Sequence, residues 1–166
     1  MAWNHPAFAT VPDSIRITSS SFQAGGWMPR RHAGPGVGDN ISPALAWSGL
    51  PAATVTLVLI MEDPDVPLPR PFVHLITYNI SPTADALPEA ALCPPATPLG
   101  RNTMGPSGYA GPRALPGHGP HNYVFQVFAL NKILAFRSEP TLAQLLAAMN
   151  GAVIARGRLD GLFEQA

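Results

Sequence analysis

Residues 55–61 read Val-Thr-Leu-Val-Leu-Ile-Met and form the longest apolar stretch of the chain, interrupted by Thr56. The stretch is rich in β-branched side chains, and apolar residues occupy both of its alternating faces, which is typical of a strand buried on both sides. The strand ends abruptly, because Glu62-Asp63-Pro64-Asp65-Val66-Pro67 follows and its prolines cannot donate to a sheet ladder. We therefore predict that this strand lies at the centre of a sheet, with acidic side chains at its end.

Alternating residues predict two more long strands. In residues 72–80, the face that carries His74 also holds the apolar residues of the same parity, Phe72, Ile76 and Tyr78. In residues 121–130, one face holds His121, Tyr123, Phe125 and Val127. Both strands are thus predicted to carry a histidine in or beside an apolar row.

The rest of the chain predicts short strands, long loops and a helix. Thr141 is a candidate N-cap with Gln144 three residues later, as in a capping box, and the helix runs through Met149 to a candidate stop at Asn150-Gly151, although the apolar pattern at Val153 and Ile154 also allows it to continue. Short strands are expected at residues 15–18 and 44–47, a closing strand at 155–163, and loops at 82–98 and 105–120. The fold class is therefore mainly β with one or two C-terminal helices, in a single domain over residues 1–166.

Composition excludes several classes of function. The formal net charge is zero, and no basic run exists that would neutralise the phosphates of a nucleic acid. Lys132, the only lysine, lies in no glycine-rich phosphate loop, and the single Cys93 allows neither an intrachain disulfide nor a cysteine zinc cage. We predict no cofactor and no nucleic-acid partner.

Targeting signals are not evident in the sequence. Residues 1–12 contain polar residues where a signal peptide needs an apolar run, and no apolar stretch approaches the roughly 20 residues that span a bilayer. We therefore expect a cytoplasmic protein without a transmembrane segment.

Polar side chains concentrate at the ends of the predicted strands. Asp63 and Asp65 follow the first long strand, His74 lies inside the second, and His118, His121 and Tyr123 lie around the start of the third. In an antiparallel sheet these groups converge on one edge, where a carboxylate orients a neighbouring imidazole and favours its protonated form. Together with backbone N–H groups of a glycine-rich loop, such a cluster suits a small anion such as phosphate.

Simpler interpretations of the same residues remain open. Asp63-Pro64-Asp65 also fits a plain turn, and His74 also fits a core histidine bonded to a carbonyl. The loop before Tyr123 needs glycine and proline for backbone reasons alone. Asp63, His74 and His121 also have the ligand types of a two-histidine, one-carboxylate metal site, although no short His-x-His pair supports it, and we predict no metal.

The order and spacing of several motifs resemble the phosphatidylethanolamine-binding protein family, in particular its bacterial branch often labelled Raf-kinase-inhibitor-like. The motifs cover most of the chain: Pro29-Arg30-Arg31, residues 40–51 (NISPALAWSGLP), residues 63–67 (DPDVP), His74 within residues 72–80, residues 108–112 (GYAGP) and residues 117–123 (GHGPHNY). The resemblance implies a central antiparallel sheet packed on a smaller sheet, short C-terminal helical segments and a shallow anion pocket at one end.

The resemblance also implies which residues form that pocket. The matched positions, expected to bind the ligand, are Asp63, Asp65, His74, Gly111, Pro112, His121 and Tyr123. The sequence departs from the family at Asn122, where Arg is usual, and at Ala114, Leu115 and Pro116, where consecutive prolines and a basic residue are usual. Losing the Arg removes a fixed cation, and the changed wall makes the mouth more apolar.

Three functions are compatible with these residues. The first is binding of a small anionic or amphiphilic ligand through a phosphate-like or carboxylate-like head group. The second is non-covalent acid–base catalysis of a hydrolysis, isomerisation or cyclisation by Asp63, His74 and His121. The third is inhibition of a kinase or protease by protein interaction. The family resemblance and the scarcity of surface charge also suggest a homodimer.

Overall fold

The structure is a computed structural model that describes residues 1–92 and 97–165. Cys93 and part of the predicted loop at 82–98 lie outside these residues. Within them, short 3₁₀ helices span Ala2–Asn4, Pro6–Phe8 and Arg30–His32. The strands are β1 (Arg16–Thr18), β2 (Leu45–Ser48), β3 (Thr56–Asp63), β4 (Phe72–Ile80), β5 (Ala86–Leu87), β6 (His121–Leu130) and β7 (Val153–Phe163), and the helix is α1 (Leu142–Met149).

The strands form two antiparallel sheets. The larger sheet has the order β4-β3-β6-β7 and the smaller has the order β1-β2-β5. β3 is central, as predicted, and every residue in it is buried. The predicted mainly-β fold, with a central sheet packed on a smaller one, is confirmed.

The larger sheet is covered on both faces, which explains why β3 is apolar throughout. One face packs against the smaller sheet in a cluster that includes Trp47, Leu59 and Phe125. The other packs against α1 and the N-terminal 3₁₀ helices in a cluster that includes Phe8 and Leu145. We call these the inter-sheet face and the helix face.

The predicted alternation in β4 is wrong at His74. Met61 pairs with Leu75 and Glu62 pairs with Val73, so the ladder passes over His74 in a bulge. A bulge adds one residue and reverses the facing of the residues after it. Ile76 and Tyr78 therefore belong to the helix face, whereas His74 packs on Tyr123 of the inter-sheet face.

The last two residues of β3, Glu62 and Asp63, direct their carboxylates to opposite faces of the larger sheet. The Glu62 carboxylate accepts hydrogen bonds from the backbone N–H of Ala2 at 2.6 Å and from the side-chain amide of Gln126 at 2.9 Å. Ala2 belongs to the helix-face cluster, whereas Asp63 turns to His121 beside the inter-sheet cluster. Consecutive strand residues point to opposite faces, so one strand end supplies a carboxylate to each.

The helix begins and ends where the sequence predicts. Thr141 and Gln144 form a reciprocal capping box, and Asn150 is the C-cap. After a turn at Gly151 the chain enters β7, which includes Val153 and Ile154 and so starts two residues before the predicted strand. The C-terminal helical part is thus one α-helix within the described residues.

Candidate functional site

The structure brings Asp63 and His121 together. Asp63 is the last residue of β3 and His121 the first of β6, and the antiparallel pairing of these strands places both at one edge of the larger sheet. The Nδ1–H of His121 donates to Asp63 Oδ2 at 2.7 Å, and both side chains are almost completely buried. The carboxylate fixes the ring orientation, and Nε2 makes no hydrogen bond to any of residues 1–92 and 97–165.

Asp65 holds the loop after β3 against β6. Its backbone N–H donates to Asp63 Oδ1 at 2.8 Å, so both carboxylate oxygens of Asp63 are used. Its own carboxylate accepts from the backbone N–H of Asn122 at 2.7 Å and from the Asn122 side-chain amide at 3.0 Å. Asn122 therefore bonds Asp65, in the position where the related family usually carries arginine.

His74 lies between two aromatic rings beside this pair. Its ring centroid is 4.7 Å from that of Phe72 and 5.1 Å from that of Tyr123, and Nδ1 lies 2.6 Å from the carbonyl oxygen of Ala110, to which it donates. Burial lowers the pKa of His74 to about 4, and the favourable effects of the Ala110 carbonyl and of Asp63 offset only part of that desolvation. His74 is therefore neutral at physiological pH.

Tyr123 is fully buried behind the two histidines. Its ring stacks on that of His121 at 6.5 Å, with an angle of 23° between the planes. Burial raises the pKa of the phenol, Asp63 raises it further, and the backbone N–H groups of Arg113 and Ala114 oppose the shift. The phenol stays protonated, and its complete burial makes it a support for the histidine rings.

Gly111 and Pro112, which are expected to wall the pocket, pack against the segment at the end of the third 3₁₀ helix and just after it. A Cβ at Gly111 would lie 2.2 Å from the carbonyl oxygen of His32, so no larger residue fits there. The backbone N–H of Gly34 donates to the Pro112 carbonyl at 2.9 Å. This hydrogen bond holds Pro112 in position, and with it the nearby Ala110 carbonyl that accepts a hydrogen bond from His74.

Asn40 is a positioning residue whose role the sequence did not reveal. Its Oδ1 accepts from the backbone N–H of Gly111 at 2.8 Å, and its Nδ2 donates to the Tyr109 carbonyl at 3.2 Å. Its φ of 56° lies in the left-handed region, where asparagine is tolerated better than most residues. The sequence Asn-Ile-Ser-Pro does not indicate a left-handed backbone at Asn40. The family resemblance marked residues 40–51 as a motif but not the role of this side chain.

The structure brings some of the predicted site residues together and leaves others apart. Asp63, His74, His121 and Tyr123 converge, with exposed fractions of 1%, 5%, 4% and 0%, so a ligand can reach only the exposed edges of the two histidine rings. His118 is exposed on the loop and makes no side-chain hydrogen bond or ring contact with the cluster among the described residues. Among residues 1–92 and 97–165, no group of three His, Cys, Asp or Glu side chains is arranged to hold a metal ion.

Comparison with known proteins identifies the family. The model of the phosphatidylethanolamine-binding protein family matches residues 18–164. This chain belongs to that family. The resemblance expected from the motifs is therefore confirmed.

Relatives of known structure have the same fold. A phosphatidylethanolamine-binding protein homologue, CT736 from Chlamydia trachomatis, is 36% identical, covers 93% of this chain and 99% of its own, and superimposes with a TM-score of 0.84. YbcL from Escherichia coli is 29% identical, with coverage of 92% and 99% and a TM-score of 0.84. Both match almost from end to end.

Members of this group also occur in archaea. The UPF0098 protein of Methanothermobacter thermautotrophicus is 33% identical over 155 residues, which is 91% of this chain and 99% of that protein. The similarity therefore extends beyond the bacterial branch that the motifs indicated. In the part of the chain that the structure describes, no helix is long and apolar enough to cross a membrane.

Proposed function

We propose that the protein binds a small ligand through an anionic head group, phosphate or carboxylate, at the edge of the larger sheet where Asp63 meets His121. The observation that carries this proposal is the 2.7 Å hydrogen bond from His121 Nδ1 to Asp63, which leaves Nε2 unpartnered. When the ring is protonated, Nε2–H donates a charge-assisted hydrogen bond to an anion.

The neighbouring groups support a compact head group rather than a large one. His74 and His121 expose only 5% and 4% of their surface, so a ligand meets ring edges and not an open basin. His74 is neutral and Asn122 is bonded to Asp65, so neither supplies a cation. His121, through Nε2, is therefore the principal donor to the head group.

Isothermal titration calorimetry with O-phosphoethanolamine tests the proposal with two variants. Asp63→Asn loses one of two hydrogen bonds, because an amide offers one acceptor oxygen where Asp63 uses both. His121→Gln removes the cation. We expect each change to weaken binding by about tenfold or more, as for loss of a hydrogen bond to a charged group.

The matched control is His118→Gln, which removes an exposed imidazole on the adjoining loop. It should bind O-phosphoethanolamine as tightly as the native protein. Unchanged affinity in both Asp63→Asn and His121→Gln would contradict the proposal.

Acid–base catalysis is a second candidate, favoured by the same hydrogen bond. Asp63 orients His121 as a carboxylate orients a general base, with Nε2 as the atom that accepts or returns a proton. His74 is the less suitable base, because its Nδ1 is bonded to Ala110 and its lowered pKa makes it weak. Turnover of a bound metabolite that is lost in His121→Gln but retained in His74→Asn would support this candidate, and equal loss in both would count against it.

A further inference from the structure

A second concave surface lies on the helix face of the larger sheet, away from Asp63 and His121. It is an open cleft of about 900 Å³, within the range of about 300–1,000 Å³ found for ligand sites. Its walls come from the N-terminus, the loop after β3, β4, the segment at residues 101–105 and the first turns of α1. The apolar side chains that define it are Leu68, Pro69, Pro71, Val73, Leu142 and Leu146.

The accessible charge of this cleft is positive. Arg70 and Arg101 line it, both are exposed, and neither makes an ion pair or side-chain hydrogen bond with any described residue. Glu62 is the acidic residue of the lining, but it is 1% exposed and its carboxylate accepts hydrogen bonds from Ala2 and Gln126. A ligand in the cleft therefore meets two unpaired guanidinium groups and an apolar wall.

We propose that this cleft binds a single-chain amphiphile with an anionic head group, its acyl chain against the apolar wall and its carboxylate or phosphate on Arg70 and Arg101. Apolar burial drives the chain into the cleft, and the guanidinium groups match the planar geometry of a carboxylate. The site goes beyond the proposed head-group pocket and shares none of its residues, because Glu62 and Asp63 point to opposite faces of the sheet.

Dodecanoate, used below its critical micelle concentration, is the probe. Calorimetric titration should show a saturable site that persists in His121→Gln, and the double variant Arg70→Gln/Arg101→Gln should weaken binding at that site about tenfold or more, as expected for lost charge-assisted bonds. The matched control is Arg16→Gln, which removes an exposed, unpaired arginine from β1 of the smaller sheet. Its affinity for dodecanoate should equal that of the native protein.

Ligand variants distinguish the two parts of the proposed interaction. Hexanoate should bind more weakly than dodecanoate because less apolar surface is buried, and dodecyltrimethylammonium should bind more weakly because its charge is reversed. Dodecyl phosphate tests which head group is preferred: tighter binding than dodecanoate assigns the site to phosphate amphiphiles, and weaker binding assigns it to fatty acids. The proposal is overturned if binding does not saturate, if the cationic amphiphile binds equally well, or if the double variant binds as tightly as the native protein.

The two proposals can be contradicted separately. Saturable dodecanoate binding should remain in His121→Gln, and complete loss of binding in that variant would place the head group in the pocket at Asp63 and overturn the cleft site. If dodecanoate fails to bind while O-phosphoethanolamine binds in a His121-dependent manner, only the cleft proposal is lost.

Discussion

Acidification should destabilise this protein through His74 in particular. The pKa of His74 is lowered from 6.5 to about 4 by burial in the folded state, whereas the unfolded chain leaves the imidazole in water. Between these two values the unfolded chain binds a proton that the folded protein does not. The stabilising contribution is therefore complete above 6.5, is lost as pH falls toward 4, and is constant below that.

The size of the effect follows from the same difference. Each tenfold change in proton affinity corresponds to about 1.4 kcal/mol, so the shift of His74 from 6.5 to about 4 predicts a loss of about 3 kcal/mol. His74→Asn is the perturbation that isolates this group, because the amide can keep a donor near the Ala110 carbonyl and cannot titrate. All other ionisable groups are common to the two proteins.

Urea unfolding at about pH 7.5 and about pH 4 measures the effect. The native protein should lose about 3 kcal/mol more free energy of unfolding than His74→Asn over this interval, beyond the general cost of the substitution. Equal losses in the two proteins would show that burial does not keep His74 neutral in the folded protein. If the variant does not fold, an NMR pH titration of the His74 ring signals in the native protein provides the test. A titration midpoint near 6.5 would show that burial does not hold the ring neutral.

Three further substitutions test parts of the structure that position the site. Asn40→Gly tolerates the φ of 56° but removes both side-chain hydrogen bonds, so we expect a loss of about 2 kcal/mol in urea unfolding and a shifted His74 ring signal, and an unmoved signal would contradict the positioning role. Gly111→Ala brings a Cβ within 2.2 Å of a carbonyl oxygen and should cost about 3 kcal/mol or more, whereas a neutral result would mean that the wall is not packed as described. Thr141→Ala removes the capping box and should cost about 1 kcal/mol with O-phosphoethanolamine affinity unchanged, so altered affinity would link α1 to the pocket.

The sequence was sufficient to predict features that depend on local chemistry. β3 was predictable because residues 55–61 are apolar on both faces, and a strand of that kind has to be central. The start of α1 was predictable because a Thr-x-x-Gln capping box is complete within four residues. The convergence of Asp63 with His74 and His121 followed from placing polar residues at strand ends in an antiparallel sheet, although the sequence left open which histidine Asp63 bonds.

Two features were beyond the reach of sequence reasoning because they depend on tertiary pairing. The bulge at His74 arises from the register between β3 and β4, and residues 72–80 alternate in sequence as though no bulge were present. The role of Asn40 depends on bonds to Tyr109 and Gly111, about 70 residues away in sequence. Both features set the position of His74, so the sequence indicated the members of the cluster but not how His74 is held.

The central claim is that Asp63 holds His121 so that Nε2 meets an anionic head group, and NMR titration of the histidine ring signals with O-phosphoethanolamine tests it most directly. Single His→Gln variants at His74, His118 and His121 assign the signals. We expect saturable shifts at His121, with a smaller effect at the adjacent His74 and none at the exposed His118. If the His121 signal does not move at millimolar ligand, or moves no more than that of His118, the claim is wrong.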